Sequence, residues 1–418
     1  MSKVLMLGVG SRGDVQPLAV LAGALAQRGI DARVVALAEY ASVAADLGAG
    51  FEPFPGELAD ALNRTWFVEQ LAKQPLGQLA MLRRWVASLA PGLADTLDRL
   101  VEPGDTLIAG TLARGAATAF ALARQARVAT IVYTGQAPTL HPDSHFYGHW
   151  LTGFGPYDRW GVDVNWRLAT QTGGPLTSAV AHRLGLPAPG ARAATRAADA
   201  HPVIVAASPT LVPPAPDWPP FVHQSGYLAP PPTPDPTDAA LTAFTEGGHA
   251  AYVGFGSLAT FSTTDELTLL HDAAWLSGIP VVTSAPPGVG PGPLSDHLYA
   301  VGSIPHAWLF PRMAGIVHHG GAGTTHEALR SGVPSVALPW GVDQPYHGRR
   351  LHALGVGPEP VPLHKVTARR LADLLAELTG PGAEGYQRRA REVAEQVRGE
   401  DGVGATIGTL ERCGLLPL

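Results

Sequence analysis

The chain has 418 residues, 46% hydrophobic and 15% charged, with a formal net charge of −6. At roughly 150 residues per domain this length supports two packed cores and excludes a single small binding module, and so apolar a composition excludes a disordered scaffold. The acidic balance offers no field for a polyanion, so neither nucleic acid nor an anionic membrane surface is an expected partner. The lone Cys413 excludes an intrachain disulfide or a CxxC metal site. The opening run Val4-Leu5-Met6-Leu7-Gly8 is too short for a signal-peptide core and reads as a buried strand. No later run approaches the roughly 18 apolar residues of a bilayer span. We expect a cytoplasmic protein, monomer or homodimer, without stable membrane insertion.

In chain order, strand Val4 to Leu7 is followed by a glycine loop, a helix from about Pro17 to Arg28, and strand Ala32 to Leu37. Such alternation predicts βαβ units and a parallel sheet covered on both faces. Residues 57–100 have helical periodicity and include Trp66, Phe67 and Trp85. Strands follow at Asp105 to Ala109 and Ala129 to Tyr133, and from Gln136 to about Leu186 the chain is loop-rich and aromatic. Eleven prolines between Pro209 and Pro236 mark a linker over 213–238. The alternation then restarts with strands Ala250 to Phe255, Pro280 to Ser284, Gly315 to His318 and Ser335 to Leu338, and helices Thr264 to Leu276 and from Thr324. The last stretch, Gly385 to Arg398 and Gly402 to Leu410, reads as helices. The expected class is α/β, two Rossmann-like domains facing an interdomain cleft. Residues 1–212 form the first domain and 239–398 the second, with 399–418 a C-terminal helix packing back on the first.

Two glycine motifs carry chemistry. Gly8-Val9-Gly10-Ser11-Arg12-Gly13 is formally G-x-G-x-x-G after a strand, with Glu39 near the end of the next strand, a dinucleotide pattern. Asp14, however, places a carboxylate at the helix N-terminus where a pyrophosphate would sit. Either Asp14 is simply the N-cap of the helix containing Pro17, or it serves as a general base at the mouth of the sheet. The second motif, His318-His319-Gly320-Gly321-Ala322-Gly323-Thr324-Thr325-His326-Glu327, follows a strand and opens a helix. Small residues let backbone N–H groups approach a diphosphate and the helix dipole favours its charge. His319 can donate to phosphate, Glu327 can accept from ribose, Ser257 can add a hydroxyl, and Asp343 with Gln344 can grip vicinal sugar hydroxyls. The plain alternative is a glycine-rich turn with capping threonines and no ligand.

Ile304-Pro305-His306-Ala307-Trp308-Leu309-Phe310-Pro311-Arg312, the His318–Thr325 run and Asp343-Gln344 together resemble the donor signature of family 1 nucleotide-sugar glycosyltransferases of the GT-B fold, in its bacterial natural-product and sterol glucosyltransferase branch. Gly10-Ser11-Arg12-Gly13-Asp14-Val15-Gln16-Pro17 resembles that branch's opening motif, so the likeness spans both halves. The resemblance implies that His319 and the backbone of Gly321, Ala322, Gly323, Thr324 and Thr325 hold the diphosphate, with Ser257 on a phosphate oxygen. It implies Glu327 at the ribose, His306 and its loop at the base, and Asp343 and Gln344 at the sugar. Near Ser303 this chain lacks the Trp that stacks on uracil in plant relatives, which leaves UDP and dTDP both open. Where plant relatives carry a catalytic His, this chain has Asp14, which the resemblance assigns as base with Ser11 as a neighbouring contact.

His141, His145 and His149 are spaced i, i+4, i+8 and could present a metal site, but Pro142 and Gly148 interrupt a helix and no Glu or Cys completes the set. An aromatic loop lining an acceptor pocket through His145, Phe146 and Trp150 accounts for the segment better. The expected activity is inverting, metal-independent transfer of a hexose or deoxyhexose from a UDP- or dTDP-sugar to a hydroxyl of an apolar small molecule such as a polyketide, macrolide or sterol. No further cofactor is expected. A nucleotide-sugar epimerase and a nicotinamide-dependent oxidoreductase are the alternatives.

Overall fold

The structure is a computed structural model that describes residues 2–56, 75–232, 238–256 and 263–416. By their contacts the residues divide into two units, Met1–Pro231 with Asp401–Leu418, and Pro232–Glu400.

In the first unit, β1 (Val4–Leu7), β2 (Ala32–Leu37), β3 (Gly50–Phe54), β4 (Thr106–Ala109), β5 (Arg127–Val132), β6 (Val203–Val205) and β7 (Val222–Gln224) form a sheet in the order β3-β2-β1-β4-β5-β6-β7. Every pair is parallel. Parallel neighbours require crossovers, supplied among the described residues by α1 (Arg12–Ala26), α2 (Ala41–Asp46), α3 (Pro75–Leu100), α4 (Arg114–Arg124), α5 (Gly155–Thr172), α6 (Gly174–Arg183) and α7 (Ala191–Ala198). The apolar runs of β1, β2 and β4 are buried throughout or nearly so, as strands covered on both faces must be. The order reverses between β1 and β4, the switch point at which open α/β sheets receive ligands.

Four expectations change here. The first helix starts at Arg12, not near Pro17, because Ser11 is its N-cap and Pro17 lies inside it. Of the helical stretch expected over 57–100, residues 57–74, with Trp66 and Phe67, lie outside the described residues and the remainder is α3. The aromatic stretch 136–186 holds two helices, α5 and α6. The buried face of α5 is Asp158, Val162, Trp166 and Thr170, and two polar residues in that row obscure its apolar period. The proline-rich stretch 213–238 contributes β7 to the first sheet.

The second unit starts with α8 (Ala239–Thr245). Its sheet runs β10-β11-β9-β8-β12-β13, built from β8 (Ala251–Gly254), β9 (Val281–Ser284), β10 (Gly292–Ser295), β11 (Leu298–Val301), β12 (Gly315–His318) and β13 (Ser335–Ala337). All pairs are parallel except β10 with β11. Here the reversal falls between β8 and β12. The helices are α9 (Thr263–Ser277), α10 (His306–Leu309), α11 (Ala322–Ser331), α12 (Gln344–Ala353), α13 (Ala368–Thr379) and α14 (Glu384–Arg398). A last helix, α15 (Gly402–Arg412), belongs to the first unit, where Ile407, Leu410, Leu415 and Leu416 join the core of β1, β4 and α1.

Candidate active site

In the first unit the chain leaves β1 and turns through Gly8–Ser11 into α1. A Cβ on Gly8 would stand 3.0 Å from Val15 Cγ2, so this glycine sets the helix close to its strand. A Cβ on Gly10 would stand 2.0 Å from Asp14 Oδ2, so the second glycine of the fingerprint makes room for a carboxylate. Asp14 is not the N-cap. It is the third helical residue, and its Oδ2 accepts the Ser11 backbone N–H at 2.8 Å and the Ser11 hydroxyl at 3.3 Å. The place a dinucleotide pyrophosphate needs at this helix terminus is thus held by a negative group, which counts against the nicotinamide alternative. Glu39 is exposed in the short turn after β2. Two phenols surround Asp14. Burial pushes the hydroxyls of Tyr40 and Tyr133 above the ordinary tyrosine range, Glu39 adding to the effect at Tyr40 and the Asp14 charge adding at both. Tyr133 also donates to the Asp14 carbonyl at 3.4 Å. Asp14 is therefore half-buried, oriented by Ser11 and flanked by neutral hydroxyls.

The segment after β5 is fastened at several points. Phe146 N–H donates to the Gly135 carbonyl at 2.8 Å, Leu140 N–H to Asp217 Oδ2 at 2.8 Å, and the Thr139 hydroxyl to the same carboxyl group. His145 is buried, which lowers its pKa to about 4 and leaves a neutral ring whose Nδ1 accepts Tyr147 N–H at 3.2 Å. A run of rings follows, Phe146 on Tyr147 at 4.0 Å and Tyr147 stacked on Trp150 at 4.5 Å and 8°. Trp150 is 55% exposed, so of the three expected acceptor contacts His145 and Phe146 lie within the packing and Trp150 on its surface. Two separate 3-10 turns, 142–144 and 148–150, replace the single helix that a His141-His145-His149 metal face would need. An ion pair between buried Arg114 and half-buried Asp199 holds α5 in place: Arg114 reaches Asp199 at 2.7 Å and lies over the Trp166 ring at 4.2 Å, while Trp166 Nε1 donates to Asp199 at 3.0 Å.

In the second unit the loop after β12 lies at the switch point. The His319 ring lies beside the carbonyl of Gly254, the last residue of the neighbouring β8, at the point where the strand order reverses. Glycines on both sides accommodate that ring. A Cβ would come within 2.8 Å of it from Gly256 and within 2.4 Å of its Nε2 from Gly321. Burial, with the neighbouring His347, lowers the His319 pKa to about 4. Gly321 is the N-cap of α11, and the first intrahelical bond runs from Thr325 N–H to the Gly321 carbonyl. The N–H groups of Ala322, Gly323 and Thr324 precede that bond and point out of the helix terminus with the positive end of its dipole. The Thr325 hydroxyl is spent on the Gly321 carbonyl at 2.9 Å. Gly323 differs from its neighbours, since a Cβ there would meet nothing within 4 Å. Packing therefore does not require a glycine at this position.

The remaining expected residues distribute around this loop. Gln344 starts α12, and its Oε1 accepts Trp340 N–H at 2.8 Å and Gly341 N–H at 3.4 Å, which closes the turn ahead of the helix. Asp343 is the N-cap of α12 and follows Val342, a β-branched residue at φ +56°. Glu327 is buried on α11 with Arg330 Nε 3.9 Å away. His306 stacks on Phe310 at 4.3 Å and 13°, and Ser303 is exposed just ahead of it. Ser257 lies outside the described residues. Composition and spacing gave no role to His318 and His347, which flank Gly320 and are wholly buried; their only sequence signal is histidine where an apolar residue would be expected.

Residues 278–403 match the family described as the C-terminal domain of erythromycin biosynthesis protein CIII-like proteins. The chain is 32% identical over 205 residues to sterol 3-beta-glucosyltransferase UGT80A2 of Arabidopsis thaliana, covering 48% of this chain and 32% of that protein. It thus spans about a third of that relative's length. Vancomycin aglycone glucosyltransferase of Amycolatopsis orientalis is 29% identical over 410 residues, 95% of this chain and 94% of that one. Among solved structures the calicheamicin glycosyltransferase CalG4 superposes with a TM-score of 0.69 at 16% identity, over 99% of this chain and 98% of that one. No described helix is long and apolar enough to cross a membrane.

Proposed function

Since the chain belongs to the family 1 glycosyltransferases and has the GT-B fold, we propose that it transfers a hexose or deoxyhexose from a UDP- or dTDP-sugar to a hydroxyl of an apolar acceptor, with inversion and without a metal. The reading rests above all on the α11 terminus, where the N–H groups of residues 322–324, the adjacent His319 ring and the open face of Gly323 together suit a diphosphate. Sterols and antibiotic aglycones such as that of vancomycin are the acceptor classes that the relatives suggest. The rings of Phe146, Tyr147 and Trp150 offer such an acceptor apolar area with polar tips.

In this mechanism Asp14 takes the proton of the acceptor hydroxyl while the oxygen attacks the anomeric carbon. The bond from that carbon to the diphosphate oxygen breaks, and the negative charge passes to the diphosphate. Ser11 orients the carboxylate by its two hydrogen bonds. The α11 terminus stabilises the departing charge. Burial keeps the His319 ring neutral at neutral pH, and both its nitrogens become donors only when the incoming charge raises its pKa and it takes a proton. Asp343 and the Gln344 amide hold sugar hydroxyls, and the Gln344 oxygen keeps the preceding turn closed. Asp14→Asn tests the base. Turnover should fall about 100- to 10,000-fold with UDP or dTDP binding unchanged by calorimetry. Unchanged turnover would remove Asp14 from the chemistry.

A further inference from the structure

Gly320 is held at both ends of its own residue by imidazoles from two different elements. Its N–H donates to His318 Nδ1 at 3.1 Å, from the end of β12, and its carbonyl accepts from His347 Nδ1 at 2.7 Å, from α12. Both histidines are fully buried. These bonds dictate the tautomers: His318 must carry its proton on Nε2 to accept at Nδ1, and His347 must carry its proton on Nδ1 to donate. Burial, with neighbouring His319, His347 and His306, holds His318 well below the usual histidine range, which keeps that lone pair in place. Neither Nε2 has a hydrogen-bond partner among the described residues, so the bonds these rings make within the protein are at Nδ1. Gly320 sits at φ +85°, and a Cβ there would come within 3.0 Å of the Gln344 carbonyl oxygen, so the loop and the α12 terminus are pressed together at this point.

One helix therefore carries both Asp343 and Gln344 at its start and, one turn later, the imidazole that grips the phosphate loop. We propose that His347 is a positioning residue that fixes the sugar-holding start of α12 in register with the diphosphate loop, through its Nδ1–H bond to the Gly320 carbonyl. The proposal rests on the donor-site reading above. Its consequence is a split: the nucleotide is held by the loop and binds without the bond, whereas bringing the anomeric carbon into line needs loop and helix together.

Two variants separate this from a packing role. His347→Leu fills the space without a donor; His347→Asn places an amide N–H at nearly the position of Nδ1. With UDP- or dTDP-sugar and an acceptor, His347→Leu should lower kcat by about ten- to a hundredfold while UDP or dTDP affinity changes by less than about threefold. His347→Asn should recover most of that kcat. Equal losses in nucleotide affinity and kcat, an unchanged kcat, or an Asn variant no better than Leu would overturn it. Nitrogen NMR of the ligand-free wild type supplies a readout independent of activity. His347 should appear as the Nδ1–H tautomer and His318 as the Nε2–H tautomer, and the reverse would remove the clamp itself. If the tautomers are as expected but the wild type neither binds a nucleotide nor transfers sugar, the donor-site reading fails instead, and the positioning role falls with it.

Discussion

Replacing Gly323 by alanine should move stability and nucleotide binding in opposite directions. The residue is the second of α11 and has no positive φ, so alanine fits its backbone, and the added methyl meets nothing within 4 Å. Relieving glycine's conformational freedom inside a helix is worth about 0.5–1 kcal/mol, so the protein should melt slightly higher. The same methyl stands where a diphosphate would approach the N–H groups of residues 322–324. Losing one charge-assisted hydrogen bond there costs about 1.5–3 kcal/mol, a rise in Kd of roughly ten- to 150-fold. Calorimetric titration with UDP and dTDP, paired with a thermal melt, reads both signs. Gly321→Ala is the control. Its Cβ would lie 2.4 Å from His319 Nε2, so it should lose stability and binding together. A Gly323→Ala protein that melts higher and binds nucleotide as tightly as the wild type would show that no diphosphate comes to this helix terminus.

Nucleotide binding should take up a proton, because His319, at about pKa 4 when free, is the ring next to the incoming charge. Binding enthalpies measured near pH 6.5 in buffers of different ionisation enthalpy should differ accordingly and converge in His319→Gln. His318, His319 and His326 have folded pKa values below the unfolded 6.5, all chiefly from burial. The unfolded state therefore binds more protons on acidification, and stability is lost as pH falls from about 6.5 toward the folded values, about 4 for His319 and about 3 for His326. Each group contributes up to about 1.4 kcal/mol per pH unit, and His326→Asn should flatten a plot of melting temperature against pH. Asp199→Ala leaves Arg114 buried and uncompensated, for a loss of about 3 kcal/mol in denaturant unfolding, with acceptor recognition weakened and nucleotide affinity retained.

The sequence revealed the two α/β halves because buried parallel strands are short apolar runs between glycine loops, and β1, β2 and β12 stand within the runs expected for them. It missed β3, β6, β7, β10 and β11. β6 and β7 have three residues each, and β7 is half-buried among prolines, so neither shows a period. Ser11-x-x-Asp14 is a variant capping box that marks the start of α1, whereas Pro17, a residue that favours a first helical position, lies inside the helix. The donor loop was legible because its chemistry lies in consecutive residues. What the glycines do is not legible in the sequence, since Gly8, Gly10, Gly320 and Gly321 serve packing against Val15, Asp14, Gln344 and His319, whereas Gly323 of the same loop faces open space. The clamp on Gly320 joins residues 27 apart in the chain, and nothing in local spacing pairs them.

The most direct test is to incubate the wild type with α-linked UDP- and dTDP-sugars and a panel of sterol, polyketide and glycopeptide aglycones, then determine the mass and anomeric configuration of the product. A β-linked glycoside formed with release of the nucleoside diphosphate is expected. An α-linked product would contradict inversion. Epimerised donor, or no product although the nucleotide is bound, would contradict glycosyl transfer.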